Sequence, residues 1–192
     1  LGAGLPASGN THEIAQSVHA DATVVYVDND PLVTVHGQAL LADQSRTRVF
    51  QADLRDPKSV LTHADVASLI DFDQPVGLLM VAVLHFVTDE SDPAAIVSAF
   101  TEQLAPGSHL VISHAGRDLL PVETTQLRPI YRSSSTGALR THAEISAFFD
   151  GFDLVEPGLV QLPLWRPEAA PPEGLSQYWV YGGVGRKRDN PR

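Results

Sequence analysis

The stretch VVYVDNDP, residues 24–31, holds the end of a strand, an acidic turn and the start of a helix within eight positions. Thr23–Val27 is a continuous run rich in β-branched residues, which is typical of a strand. Asp30 and Pro31 follow, and an Asp-Pro pair places an N-cap acceptor before a residue that needs no N–H in the first helical turn. The stretch therefore predicts a strand–turn–helix unit with Asp28 at the turn.

The alternation of strand and helix signals continues along the chain. The apolar residues of 96–104 are spaced as on one face of a helix. Asn10 or Thr11 can cap an earlier helix, and Glu13 can close a capping box with Asn10. This alternation predicts a parallel sheet with helices on both faces. Further strands are predicted at Thr47–Gln51, Val76–Val83 and His109–Ser113, and further helix starts at Asp56-Pro57 and Asp92-Pro93.

The second half of the chain has a different character. Arg117–Leu139 is long and weakly periodic, as expected of an insertion that folds over a pocket. A short helix is predicted at Thr141–Phe149. Two late strands, Phe152–Val155 and Gln177–Gly182, have no helix between them. Such a connection predicts an antiparallel pair at the edge of the sheet.

Composition narrows the class of protein. The 192 residues suit one domain with a sizeable core, and the net charge of −10 argues against a nucleic-acid partner. The longest apolar run, Val76–Leu84, is far shorter than a membrane span. The chain has no cysteine, which excludes disulfides and thiolate sites. We expect a cytoplasmic protein with one domain over residues 1–184 and a basic, solvated tail over residues 185–192.

Three candidate ligand contacts follow successive strands, at the edge where open α/β sheets bind ligands. They are the glycine turn Gly2-Ala3-Gly4, Asp28 and Asp53. A glycine turn lets the backbone approach a ligand, an acid at a strand end can accept both ribose hydroxyls, and a further polar group can meet an adenine amine. Each also has a purely structural explanation, as a tight turn or a solvated carboxylate. Together, in this order, they indicate an adenosine-containing ligand.

The loop chemistry favours a ligand without phosphates. Leu5-Pro6 stands where a dinucleotide fingerprint needs its third glycine, and the chain has neither a Tyr-x-x-x-Lys pair nor a Gly-Lys-Ser/Thr loop. These observations favour S-adenosylmethionine over a nicotinamide dinucleotide. The histidines show no metal-ligand spacing, so no metal site is predicted.

The segments LGAGLP, VVYVDNDPLV, VGLLMVAVLHFV and FFDGFDLVEPGLV resemble the actinobacterial S-adenosylmethionine-dependent methyltransferase-like family once catalogued as domain of unknown function 574. The likeness covers essentially the whole chain. It implies an α/β, Rossmann-like class I methyltransferase fold: a mostly parallel seven-stranded sheet, helices on both faces and a reversed last strand. The strand that should precede Leu1 is expected to lie outside this sequence.

The resemblance also implies roles for individual residues. The glycine motif would line the cofactor, Asp28 would bind the ribose, Asp53 would face the adenine, and residues 82–85 would flank the methionine part. The predicted cofactor-binding residues are Gly2, Ala3, Gly4, Asp28, Asn29, Asp53, Leu54, Ala82 and Val83.

The predicted activity is methyl transfer from S-adenosylmethionine to a small-molecule acceptor, leaving S-adenosylhomocysteine. Positioning supplies much of the catalysis in such displacements, so no protein nucleophile is needed. His85, His114 and Tyr131 are the candidates for orienting the acceptor or removing its proton, although both histidines could equally be ordinary buried residues. A non-catalytic sensor or scaffold that binds the cofactor is the alternative, and a nicotinamide-dependent oxidoreductase is a more distant one. The oligomeric state and the acceptor stay open.

Overall fold

Strands and helices alternate along the chain, as the sequence predicts, and group into two units, Leu1–Asp73 and Gln74–Arg192. The structure is a computed structural model that describes residues 1–6, 9–41, 44–120 and 137–189. The single domain over residues 1–184 stays a prediction. In the part of the chain so described, every helix is too short or too polar to cross a membrane.

Unit 1 contains a parallel pair of strands with its connecting helices. Strand β1 pairs with β2 from Val24 opposite Thr47 to Asp28 opposite Gln51, so both predicted strands are confirmed. Val27 and Phe50 are buried and contribute to the core of this unit. The elements are α1 (Thr11–Val18), β1 (Val24–Asp28), α2 (Pro31–Leu40), β2 (Thr47–Gln51), α3 (Pro57–Leu61) and α4 (Ala64–Leu69).

The predicted helix caps are confirmed in both units. The side chain of Asp30 accepts a hydrogen bond from Leu32 N at 2.8 Å, and Asp56 and Asp92 act in the same way at their own helices. Asn10 and Glu13 form the predicted capping box at the start of α1. Each side-chain cap stabilises its helix by about 1 kcal/mol, so these short sequence signals fix where the helices begin.

Unit 2 is built on a mixed sheet with the strand order β3-β4-β7-β5, and β6 pairs with β7. Strands β3 and β4 are parallel, whereas β7 is antiparallel to β4, β5 and β6. The reversed last strand is therefore confirmed. The elements are β3 (Gly77–Val81), α5 (Pro93–Thr101), β4 (His109–Ala115), α6 (His142–Ser146), β5 (Phe152–Leu154), β6 (Val160–Gln161) and β7 (Val180–Lys187). The described strands thus form a two-stranded sheet in unit 1 and a five-stranded sheet in unit 2.

The last strand differs from its prediction in position and in length. Strand β7 begins at Val180 and continues through Lys187, so the solvated tail predicted from residue 185 is wrong for residues 185–187. The Lys187 ammonium donates to the carbonyl oxygens of Thr101 and Leu104 at 2.8 and 2.6 Å, which anchors the end of the strand. A Cβ on Gly185 would stand 2.8 Å from the Phe152 side chain, so only glycine allows this close packing.

Candidate functional site

The glycine turn is fastened to the end of β1 in unit 1. Gly2 N and Ala3 N both donate to Val27 O, at 2.8 and 3.2 Å. Gly4 N donates to Asp28 Oδ2 at 2.9 Å, which brings the turn against the acidic residue that the sequence singled out. Gly2 and Gly4 have φ angles of 66° and 65°, and this left-handed region is readily available only to glycine.

The Asp28 carboxylate accepts one backbone hydrogen bond on each oxygen and can accept further hydrogen bonds. Its side chain is buried, with Oδ2 accepting from Gly4 N and Oδ1 accepting from Asp30 N at 2.9 Å. Each carboxylate oxygen has two acceptor sites, so a second donor can bind to each one. Apart from its two chain neighbours, no heavy atom of the described residues lies within 4 Å of the position that a Cβ would take on Gly4. The turn and the carboxylate therefore fit a ligand that presents hydroxyl donors.

The predicted residues Asn29 and Asp53 lie at the ends of neighbouring strands. Asn29 O accepts from the Gln51 side chain at 3.0 Å, which ties the end of β1 to the end of β2. Ala52 N donates to Asp28 O at 3.0 Å and continues this link beyond the strands. Asp53 and Leu54 follow directly, so the structure brings the predicted ribose-side and adenine-side residues to one edge of the unit 1 sheet.

Asp53 has a partner that the sequence analysis did not identify. The Arg55 guanidinium donates to Asp53 Oδ1 and Oδ2 through Nε, both at 3.0 Å, and its backbone N–H also donates to Oδ1. The side-chain hydrogen bonds from Arg55 hold the pKa of Asp53 below its usual value. The sequence does show an arginine two residues after Asp53, and this spacing could have indicated the ion pair. An adenine amine would have to share this carboxylate with Arg55.

In unit 2, Ala82 turns the chain at the end of β3. Its φ of 54° lies in the left-handed region, which is uncommon for a residue other than glycine. Ala82 N donates to Ser113 Oγ at 2.9 Å, so the turn is held by the neighbouring strand β4. Val83 then leads into a single turn of 3₁₀ helix, Leu84–Phe86. Strain of this kind is frequent at functional sites, and the role of this segment beside the cofactor stays a prediction.

His114 is enclosed, and both of its ring nitrogens are used. Its Nδ1–H donates to Ala115 O at 2.9 Å, and Nε2 lies 2.9 Å from an Arg140 nitrogen. Because a guanidinium can only donate, Nε2 must accept, and the ring is therefore neutral. Burial is the main cause that lowers the pKa of His114 to about 4. This geometry does not support the catalytic role that the sequence suggested for His114.

The state of His114 predicts that unit 2 loses stability in acid. The pKa of His114 is about 4 in the folded chain and 6.5 for the free group, so between these values only the unfolded chain binds the proton. The free energy of unfolding should decrease as pH falls through this range, by up to about 1.4 kcal/mol per pH unit. His85, whose pKa is also lowered, acts in the same direction. Thermal unfolding between pH 7 and 4 should give a steeper decline for the natural chain than for His114→Gln, and equal slopes would contradict this prediction.

His85 differs from His114 because one of its ring nitrogens has no partner in the described part of the chain. Its backbone O accepts from Ala138 N at 2.8 Å, while the ring is half-buried and 4.5 Å from the Phe86 ring. Among the described residues, His85 Nδ1 has no hydrogen-bond partner. Burial and then the Arg140 charge lower the pKa of His85, so the ring is neutral at pH 7. A neutral imidazole has one nitrogen that carries a lone pair and can accept a proton.

The third catalytic candidate lies outside the described residues. This applies to Tyr131 and to most of the predicted lid, residues 117–139. At the base of that segment, Arg117 N donates to Arg140 O at 2.7 Å, and the Arg117 side chain pairs with Glu144 at 2.8 Å. The lid and the role of Tyr131 stay predictions.

Arg140 is the prominent residue of this region that sequence reasoning missed. Its side chain is 6% exposed, and Nη1 donates to Leu84 O at 3.2 Å as well as to His114 Nε2. Nη2 donates to Val87 O at 2.9 Å and to Asp89 Oδ1 at 2.7 Å. We call Arg140 and these four acceptors the arginine fork. A lone arginine carries no sequence signal for such a role.

Within residues 1–6, 9–41, 44–120 and 137–189, no group of three or more acidic residues or histidines is arranged to hold a metal ion. The candidate site is therefore described by its hydrogen-bonding groups. Each unit is described by itself: unit 1 presents the glycine turn and two strand-end acids, and unit 2 presents the loop after β3 with His85 and the arginine fork.

Comparison with known proteins identifies structures that are similar to this chain over nearly its whole length. A DUF574 family protein from Streptomyces avermitilis superimposes with a TM-score of 0.89 at 42% identity, over 97% of this chain and 73% of that one. A candidate methyltransferase from Thermobifida fusca gives 0.90 at 43% identity, over 98% and 71%. An O-methyltransferase family 2 protein from Planctomyces limnophilus, solved with apigenin, gives 0.58 at 17% identity, over 95% and 49%, which supports the fold alone. Among curated proteins there is no significant sequence match.

A family model extends the same result over nearly the whole chain. It matches residues 1–188 and is described as S-adenosyl methyltransferase. The fold is that of the class I methyltransferases, as the resemblance implied. Together with the two actinobacterial structures of more than 40% identity, the match leads to one conclusion. The chain belongs to the S-adenosyl methyltransferase family.

Proposed function

We propose that this protein transfers a methyl group from S-adenosylmethionine to a small-molecule acceptor. The observation that carries the proposal is the Asp28 carboxylate, which is held by Gly4 N at 2.9 Å against a glycine turn at the end of β1. This is the edge at which open α/β sheets bind nucleotide-like ligands. The nicotinamide-dependent alternative is not retained, because the family match over residues 1–188 is to S-adenosyl methyltransferases.

The residues present fit the adenosine part of this cofactor. Asp28 has one backbone donor on each carboxylate oxygen and can accept two ribose hydroxyls in addition. The space that the described residues leave beside Gly4 would let a ligand approach the backbone closely. Asp53, next along the same edge, would share its carboxylate between Arg55 and the adenine amine. When bound, S-adenosylmethionine supplies an electrophilic methyl group.

Beyond cofactor binding, we propose that His85 orients the acceptor or takes its proton. The His85 ring is neutral at pH 7 and half-buried, and Nδ1 is a buried nitrogen without a partner among the described residues. A hydroxyl or carbon acceptor loses a proton when it is methylated, and a positioned neutral imidazole can take that proton. An amine acceptor needs only orientation. A protein of the same fold holds apigenin, a small molecule, which is compatible with a small-molecule acceptor here.

The experiment that tests this function uses methyl-labelled S-adenosylmethionine and the purified chain. A bacterial extract is separated into a low-molecular-mass fraction and a macromolecular fraction, and each is incubated with enzyme and label. We expect transfer to the low-molecular-mass fraction. Label in the macromolecular fraction would contradict a small acceptor. Tight cofactor binding in calorimetry without transfer to either fraction would support the sensor alternative and overturn the proposal.

A further inference from the structure

Three of the four acceptors of the arginine fork lie on the loop that carries His85. Leu84 O precedes His85 by one residue and Val87 O follows it by two, and each accepts a hydrogen bond from Arg140. Asp89, further along the loop, accepts a third at 2.7 Å. His85 O is itself bonded to Ala138 N. The backbone on both sides of His85 is thus tied to the segment that ends in Arg140.

The fourth acceptor, His114, is the aromatic neighbour of His85. The two rings meet edge to face, with centroids 5.7 Å apart and planes at 82°. Because Arg140 fills the Nε2 lone pair of His114 and Nδ1–H is bonded to Ala115 O, His114 offers no free nitrogen to His85. His85 therefore packs against a His114 ring whose tautomer is fixed by Ala115 O and Arg140. The Nδ1 of His85 itself has no partner in the described part of the chain.

These contacts have a consequence for Arg140 itself. A buried guanidinium costs much free energy unless its donors are satisfied, and here both Nη atoms donate to two acceptors each. A lysine ammonium lacks the planar fork that can serve acceptors on two separate segments. Strands β3 and β4 are parallel, so the loop after β3 and His114 near the end of β4 lie at the same edge of the sheet.

We propose that Arg140 is a positioning residue: it orients His85 by holding the backbone of residues 84–87 and by fixing His114 as its neutral neighbour. The importance of His85 for the acceptor rests on the proposed function. The arrangement itself can be tested without cofactor or acceptor, so its failure and that of the proposed function are distinguishable.

The test is nitrogen-15 NMR of the histidine rings as a function of pH. The ionisable groups that act on the two histidines are Arg140 and, for His114, Glu144; Asp89 on the loop pairs with Arg140. In the natural chain we expect His114 to show the Nδ1–H tautomer and to become protonated only near pH 4, because burial lowers its pKa to about 4. Observation of the Nε2–H tautomer for His114 would overturn the proposal without any substitution.

Variants separate the charge of Arg140 from its geometry. Arg140→Met should shift the titration of His85 to higher pH, because the nearby positive charge is lost. It should also remove the fixed tautomer of His114 and speed amide exchange in residues 84–91 about tenfold. Arg140→Lys keeps the charge, so His85 should titrate near its natural value while the faster exchange remains. Arg117→Met is the matched control, since Arg117 pairs with Glu144 at the surface, and it should change neither measurement.

The results for the Arg140 and Arg117 variants either support or overturn the positioning role of Arg140. Unchanged histidine spectra and unchanged exchange in a folded Arg140→Met variant would overturn it. If that variant does not fold, Arg140→Lys decides: natural exchange rates in residues 84–91 would overturn the proposal, and selectively faster exchange there would support it. Equal changes in Arg117→Met would also overturn it, because the effect would then not depend on the fork.

Discussion

Replacement of Asp28 by alanine should reduce the affinity for S-adenosylmethionine and S-adenosylhomocysteine by at least about tenfold. The carboxylate is positioned to accept two ribose hydroxyls, and each charge-assisted hydrogen bond contributes about 1.5–3 kcal/mol. The substitution also removes the acceptor of Gly4 N, which holds the glycine turn at 2.9 Å. Both effects weaken binding, and titration calorimetry measures their sum.

A neighbouring aspartate provides the control for this experiment. Asp30 caps α2 by accepting from Leu32 N, and only its backbone N–H contacts Asp28. Asp30→Ala should therefore lower stability by about 1 kcal/mol and leave cofactor affinity unchanged. Asp28→Asn, which keeps one acceptor oxygen but loses the charge, should give an intermediate loss. Natural affinity in a folded Asp28→Ala variant would remove Asp28 from the site.

The parts of the fold that follow from local chemistry could be predicted from sequence. Asp30, Asp56 and Asp92 each cap a helix because the carboxylate accepts a backbone N–H and the following proline suits the first helical position. The β-branched run of β1 is recognisable as a strand without any tertiary information. The position of β7 could not be predicted in the same way. Its glycines have low strand propensity, and they are required by the nearby side chains of residues 149–162, which only the folded chain brings together.

In the candidate site, too, local sequence predicts where residues lie, whereas tertiary contacts decide which hydrogen bonds they make. The sequence placed Asp28, Asp53 and His114 correctly at strand ends, because burial patterns locate strands. It could not show which of them have free hydrogen-bonding capacity. Asp53 is paired with Arg55, and His114 has both nitrogens bonded, whereas Asp28 retains acceptor sites. Arg140 is 26 residues from His114 in the chain and makes its contacts through tertiary structure alone.

His85→Ala should reduce methyl transfer by about a hundredfold or more while cofactor affinity stays unchanged, because we place His85 at the acceptor and not at the adenosine. The assay is the transfer of labelled methyl to the low-molecular-mass acceptor, with calorimetry of the cofactor alongside. His109→Ala is a matched control, since His109 is exposed at the opposite end of β4 and should not matter. Full activity in His85→Ala would leave positioning of the bound molecules as the only contribution of the chain.

A second substitution distinguishes the two roles open to His85. Glutamine can orient an acceptor through hydrogen bonds but cannot take its proton at neutral pH. If the acceptor loses a proton to His85, His85→Gln should be as slow as His85→Ala, and natural activity should fall in acid as the imidazole becomes protonated. Burial and the Arg140 charge lower the pKa of His85, so that fall should come below pH 6.5. Recovery of transfer in His85→Gln, with no acid limb in the natural profile, would instead indicate an amine acceptor that His85 only orients.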